Sequence, residues 1–246
     1  MHEAVAGPQA GEDDLFHSML STSINLGLLD PLELCQRAEK AYEDGNAPLN
    51  SVEGFIRQLI GWREYVRCFY WHQMPHLQKA NALNAQRGLP EFYWTGETDM
   101  ACLADCIRST RDNAHAHHIQ RLMVLGNAMC LLRTDPDSVY EWFMEMFVDA
   151  YDWVMVPNVY AMSQFASGEA VTTKPYVSGS NYLRKMSDLP RGDWEADWDA
   201  LYWTFVRDHH HVLAANPRSR MIANLHDRME PATRAAHARR AARWLS

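Results

Sequence analysis

Three features of the sequence predict an all-α fold. Apolar residues recur at intervals of three and four along most of the chain from Leu15 onward, the period of one helical face. Strand signals are confined to fragments such as Tyr176-Val177, and no Asn-Gly hairpin turn occurs. Two Asp-Pro pairs, Asp30-Pro31 and Asp135-Pro136, each set an N-cap carboxylate before a proline at the first helical position.

Taken in order, residues 1–14 read as a flexible leader with four acids and no Lys or Arg. A helix over 31–44 follows the Asp30 cap, and Glu33 in its first turn complements the helix dipole. Ser51 is a candidate cap for a helix over 51–73, where Phe55, Leu59, Trp62, Val66, Phe69 and Tyr70 form one stripe. Gly54 and Gly61 inside it each cost about 1 kcal/mol relative to Ala, which implies close packing or a ligand alongside. The same period predicts helices over 76–87, 99–109, 112–132, 136–149, 157–165, 198–214 and 217–243. Gly27, Gly45 and Gly96 punctuate the loops, and 167–198 is a long, partly irregular segment of a kind often tied to function.

With 246 residues, of which 47% are hydrophobic, the chain has the apolar content of a folded protein rather than a disordered one. No run of about 18 apolar residues exists to cross a membrane, and no basic-then-apolar secretory leader is read at the N-terminus. Five scattered cysteines do not make a disulfide scaffold, so a reducing, cytoplasmic setting is expected. The net charge of −8 argues against nucleic-acid binding by bulk charge alone. Charge is uneven, however, since Arg228 to Ser246 holds five Arg against one Glu. Nine Trp and ten Tyr are compatible with core packing, with stacking on a flat ligand, or with relaying electrons.

Three constellations carry chemical potential. In His115-Ala-His117-His118-Ile-Gln-Arg121, a helix would set His115 with His118, and His118 with Arg121, on shared faces. The spacing does not suit zinc, which leaves acid–base work near neutrality or plain interface packing. In the second, Glu53 and Arg57 take the favourable order for an i,i+4 ion pair. The third is a hydroxyl-rich run, His17-Ser18-Met-Leu-Ser21-Thr22-Ser23-Ile-Asn25, which can cradle phosphates or simply form a loop. His209-His210-His211 reads as an exposed helix face, and no P-loop, Rossmann fingerprint, nucleophile elbow or HExxH motif occurs.

Together, LFHSMLSTSINLGLLDP (15–31), PLNSVEGFIRQLIGWREYVR (48–67), HAHHIQRLMVLGN (115–127) and VDAYDWVMVPNVYAMSQFASGE (148–169) resemble one family. KPYVSGSNYLRKMS (174–187), LYW (201–203) and NPR (216–218) continue the match in order. The resemblance is to the FAD-binding helical domain of the cryptochrome/photolyase family, in its iron–sulfur bacterial cryptochrome and (6-4) photolyase branch. It implies a helical FAD-binding domain over 15–225, without the family's N-terminal α/β antenna domain, and the residues beyond it read as a C-terminal basic helix over 226–246. The resemblance further implies that Ser18, Ser21, Thr22, Ser23 and Asn25 hold the FAD diphosphate and ribityl chain, with Trp62 and Arg63 beside the pocket. His118 and Arg121 would face the flavin, Arg121 pairing with Asp149, while Asn158 and Met162 lie along the ring or adenine. His117, His118 and Tyr176 correspond to positions near a DNA lesion, to which light-excited reduced flavin donates an electron. Trp142 and Trp94 look like members of the chain that photoreduces the flavin.

Departures from the family pattern shape the expectation. Cys102 stands where a first cluster ligand belongs, but Pro190, Asp193 and Ala196 replace the other thiolates, so no [4Fe–4S] cluster is expected. Phe143 follows Trp142 where a tyrosine is usual, which weakens that relay. The leading expectation is a photolyase-related FAD protein, with lesion-containing DNA as a candidate partner. An alternative is a flavin-binding light sensor or interaction module, and a third is a fold that has lost its cofactor. The flank normally covered by the antenna domain predicts a homodimer or a separate partner there, and no membrane. The Arg/Ala-rich C-terminal helix is amphipathic enough to dock.

Overall fold

The computed structural model describes residues 17–246, an assembly of helices with no strand among the described residues. The leader assigned to 1–14 lies outside them. Short α1 (Ser21–Asn25) leads into α2 (Pro31–Glu43), whose cap is as the sequence predicts: Asp30 Oδ1 accepts from Leu32 N at 2.7 Å and Glu33 N at 3.1 Å. Helix α3 (Leu49–Ile56) runs through a π-helical stretch, Arg57–Arg63, into α4 (Glu64–Gln73). It starts after Pro48, so Ser51 lies inside the helix rather than capping it.

The helix expected over 76–87 is replaced by a single 3-10 turn, Leu77–Lys79. Asn81 captures its own backbone there, donating to Ala85 O at 2.7 Å and accepting from Ala85 N at 2.9 Å. Such local side-chain bonding competes with helix propagation. Short α5 (Phe92–Thr95), unpredicted, ends on Gly96 at φ +75°, a left-handed C-cap. Helix α6 (Ala101–Asn113) stops at Ala114, which takes φ +51° while its carbonyl accepts from Val148 N at 2.9 Å. The chain then turns through His115–His117 before a second π-helical stretch, Gln120–Gly126, and α7 (Asn127–Leu131). The expected shared face of His115 and His118 is therefore overturned, because only His118 is helical.

Helix α8 (Pro136–Met146) opens on Asp135, whose carboxylate accepts from Asp137 N at 2.9 Å. Next comes α9 (Asp152–Val156), which continues into a third π-helical stretch, Pro157–Ser163. The segment expected to be irregular contains α10 (Ser180–Lys185) and the first turn of α11 (Asp193–Asp208). The single helix expected over 217–243 is two, α13 (Arg220–Arg228) and α14 (Pro231–Leu245), preceded by α12 (His210–Ala215). Pro231 accounts for the break, since a proline ends the preceding helix and opens the next.

The main core joins α5, α6, the second π-helical stretch, α8 and α11 through Tyr93, Leu103, Ile107, Leu125, Trp142, Trp198 and Phe205, all at 0% exposure. A smaller cluster of Ile24, Cys35 and Leu59 ties α1, α2 and the first π stretch together. Around it, Leu26, Leu28, Leu32, Leu49 and Ile60 remain exposed. The C-terminal helix α14 docks on α11 of its own chain, where Arg240 and Arg243 converge on the buried Asp197 carboxylate.

Candidate functional site

The π-helical stretches position the site. Each i→i+5 turn shifts the phase of the side chains that follow, and such insertions often mark functional positions. Trp62 from the first, Leu122 and Met123 from the second and Met162 from the third meet in one apolar cluster, joined by Ile119 and Tyr182. The second and third stretches cross at Gly126. A Cβ there would lie 2.1 Å from Ser163 Oγ and 3.0 Å from the Arg121 carbonyl oxygen, so only glycine permits the approach. The tight crossing implied by Gly54 and Gly61 is not found at either residue. Nothing lies within 4 Å of a Cβ built at Gly54, and at Gly61 only the flexible Arg57 side chain does, at 3.4 Å.

Beside the cluster, Trp62, Tyr65, Val66, Phe69, Pro157, Met162 and Val171 line a cleft of about 170 Å³. Trp62 stacks on Tyr65 with ring centroids 6.0 Å apart, and the Arg63 guanidinium lies 4.9 Å over the Trp153 ring. Arg63 Nη1 pairs with Glu64 at 2.7 Å, but its Nε is buried with no hydrogen-bond acceptor. Met162 is buried, and half-buried Asn158 donates to Val154 O at 2.7 Å.

A polar centre lies at the end of the second π stretch. Arg121 makes a two-pronged contact with Asp149, Nη1 to Oδ1 at 2.9 Å and Nη2 to Oδ2 at 3.2 Å. Its Nε donates to Ala116 O at 2.5 Å, and its plane covers the Phe147 ring at 4.2 Å. Helix α1 closes on this pair: Ser21 Oγ donates to Asp149 Oδ2 at 2.8 Å and Asn25 Nδ2 to Asp149 O at 3.2 Å. Burial by itself would raise the Asp149 pKa. Arg121 and the Ser21 hydroxyl more than offset it, holding the carboxyl below its ordinary value. Ser18 is exposed, whereas Thr22 and Ser23 are half-buried on the same short helix and turn.

The histidines separate by environment. His117 is buried at 3% exposure and stacks on His17 with centroids 5.4 Å apart, while His118 is exposed at the start of the helix carrying Arg121. Tyr176 and Trp94 sit at the surface, 40% and 43% exposed, and Trp142 is fully buried. Tyr93 packs edge-on against Trp142 at 5.6 Å, and its carbonyl accepts from Trp142 Nε1 at 3.1 Å. Tyr93 was missed as a candidate because its place in the FYW run gives no period to read. Phe143 and Phe147 complete the aromatic shell around Trp142. Cys102 is fully buried, and that burial pushes its thiol up to about 12. Pro190, Asp193 and Ala196, in contrast, are exposed. No group of three or more His, Cys, Asp or Glu able to hold a metal ion occurs among the described residues.

No helix among the described residues is long and apolar enough to cross a membrane. No family model matches the chain. A (6-4) photolyase from Agrobacterium fabrum is 49% identical over 217 residues, which is 84% of this chain and 43% of that protein. Two proteins of Acanthamoeba polyphaga mimivirus match shorter stretches, each covering 34% of this chain. Uncharacterized protein R855 is 49% identical over 85 residues, 69% of its length, and uncharacterized protein R853 is 36% identical over 85 residues, 64% of its length. The chain thus spans less than half the length of the photolyase it matches. Near-half identity across most of the chain, on an all-helical frame, supports its place in the photolyase/cryptochrome family.

Proposed function

We propose that this chain binds FAD between α1 and the three π-helical stretches and serves light-driven electron transfer to a pyrimidine lesion in DNA. The observation that carries the reading is the convergence of those stretches on half-buried Trp62 and buried Met162, next to an Arg63 N–H that is buried with no acceptor. An unsatisfied buried donor next in the chain to Trp62, which lines the cleft, is open to a polar ligand atom. The cleft of about 170 Å³ is smaller than the ~300–1,000 Å³ of typical ligand pockets, so loading requires outward movement of its aromatic wall.

When bound, FAD supplies one-electron chemistry driven by light. The residues assigned to hold it are Ser18, Ser21, Thr22, Ser23 and Asn25 at the phosphates and ribityl chain, with Trp62, Arg63, His118, Asn158 and Met162 at the rings. Arg121 and Asp149 present a fixed dipole whose two charges offset each other, organising α1 without adding net charge. His118, exposed at the start of the helix that carries Arg121, is assigned to hold or deliver a proton at the lesion, with His117 and exposed Tyr176 as the other lesion-side residues. Trp142 and Trp94 are assigned to electron supply.

The donor set does not fit an iron–sulfur cluster, because Cys102 is one thiolate and Pro190, Asp193 and Ala196 offer none. We therefore route no electron through one. A second reading, a flavin-binding light sensor or interaction module, draws on the exposed apolar side chains Leu28, Leu32, Leu49 and Ile60, which a second copy or separate partner would cover.

The test is titration of the purified protein with FAD, followed by absorption and by quenching of tryptophan fluorescence. Oxidised-flavin bands that co-purify through gel filtration support the reading, and a colourless protein after incubation in excess FAD overturns it. Repair of lesion-containing DNA under light by pre-reduced protein, lost in His118→Ala, separates photolyase from sensor.

A further inference from the structure

At the far end of α11 from α10 lies a second cleft, of about 180 Å³, walled by α11, α13, and α14 with its leading turn. Its lining is Trp203, Thr204, Arg207, His226, Met229, Arg234 and His237. Two guanidiniums and two imidazoles thus share one concavity without a carboxylate, in a chain whose net charge is −8. Neighbouring arginines are committed elsewhere. Arg240 and Arg243 bind Asp197, and Arg87 holds the backbone carbonyls of the C-terminus. Arg207 contacts Asp208 at 2.7 Å, and that carboxylate is shared with Arg133. Half-buried Arg234 has no side-chain hydrogen bond or ion pair among the described residues.

His226 provides an independent sign. It is 6% exposed, its Nδ1 is buried without a hydrogen bond, and the adjacent Asp227 carboxylate approaches only to 3.8 Å. Asp227 is engaged by His210 at 3.0 Å instead. A buried imidazole nitrogen without a hydrogen bond can take one from a ligand atom or an ordered water. Burial depresses the His226 pKa first, and Arg234 depresses it further, which puts the two side chains within electrostatic reach. Burial also depresses His237, against the opposing pull of Asp199.

We propose that this cleft binds a phosphoryl oxyanion, with Arg207, Arg234, His226 and His237 as donors and Trp203 as a flat wall. The cleft opens to solvent, so the oxyanion would lie at its mouth, with any attached group extending past Trp203 and Met229. Guanidinium donors converging on one oxyanion make the strong, charge-assisted kind of hydrogen bond, and the imidazole N–H groups add to them. This site is separate from the one assigned to FAD, and its occupancy does not depend on the flavin reading.

The test uses the full chain and follows His226 and His237 ring resonances by NMR during titration with inorganic phosphate, with sodium chloride at matched ionic strength as the control. Saturable shifts with phosphate alone are expected, together with a rise in both histidine pKa values toward the range of a protonated imidazole. Arg234→Gln is expected to weaken phosphate at least about 10-fold, the loss of one charged hydrogen bond, with an unchanged thermal midpoint because Arg234 holds no other side chain. A parallel titration with a nucleoside monophosphate distinguishes the source. Tighter binding with Trp203 quenching assigns a nucleotide phosphoryl group, and equal affinity assigns free phosphate. Linear shifts that chloride reproduces, or wild-type affinity in Arg234→Gln, overturn the proposal.

Discussion

Removing the Asp149 carboxylate tests whether α1 is organised by the Arg121–Asp149 pair. Side-chain exposures of 17% for Arg121 and 11% for Asp149 put the pair between a surface bridge and a buried one. Breaking one partner of a buried pair costs about 3–5 kcal/mol, and an exposed pair contributes about 0–1 kcal/mol. Asp149→Ala leaves Arg121 without its two-pronged acceptor and also strips the acceptor from Ser21, so about 3 kcal/mol is expected. At this chain length that lowers the thermal midpoint by about 6–12 °C. The assay is urea and thermal unfolding of Asp149→Ala, Arg121→Ala and the double variant. A coupling energy of about 1.5–3 kcal/mol in the cycle is expected, because each single change strands a charge and the double does not. Losses under about 1 kcal/mol with no coupling refute the argument, since the pair would then be screened by water. The pH sign follows from the depressed Asp149 pKa. Its contribution is fully present above the ordinary unfolded carboxyl value of about 4 and is lost as pH falls through the folded value. Asp149→Asn should flatten that acid limb.

The other predictions concern packing, thiols and photochemistry. Gly126→Ala should destabilise by about 1–3 kcal/mol, measured by urea unfolding, because its Cβ meets Ser163 Oγ at 2.1 Å; adding Ser163→Gly should recover part of the loss. An aromatic disulfide reagent should modify Cys68, the exposed thiol, in the native protein, while Cys102 and Cys130, both pushed up to about 12 by burial, react only after unfolding. In FAD-loaded protein, Trp142→Phe should slow blue-light photoreduction followed at the flavin band. An unchanged rate would remove Trp142 from the electron path.

The legible part of this fold is the part that short-range chemistry controls. Asp30 and Asp135 cap their helices through N–H groups two and three residues away, so their signatures can be read in a window of four. Asn81 also acts locally, but an asparagine's capture of backbone four residues on is one option among several, and the helical period around it suggested the wrong one. Pro231 was an available stop signal that the Ala/Arg pattern around it obscured. For the site, Arg121 and Asp149 were linked through family resemblance and not by spacing, since they stand 28 residues apart. Ser21 meets Asp149 across 128 residues, a contact no window contains.

Period and the Asp-Pro pairs were sufficient for an all-helical chain and its capped starts, because those depend on neighbours along the backbone, while the family resemblance rested on the order of longer motifs. Packing alone decided the three π-helical stretches. An i→i+5 turn is compatible with the same side-chain propensities as an ordinary one, and it persists where Gly126 and Ser163 must approach and where Trp62, Leu122 and Met162 must meet. The turn at His115–His117 and the basic cleft around His226 arose in the same way, from contacts between elements remote in sequence. Their energies enter only when the chain has closed.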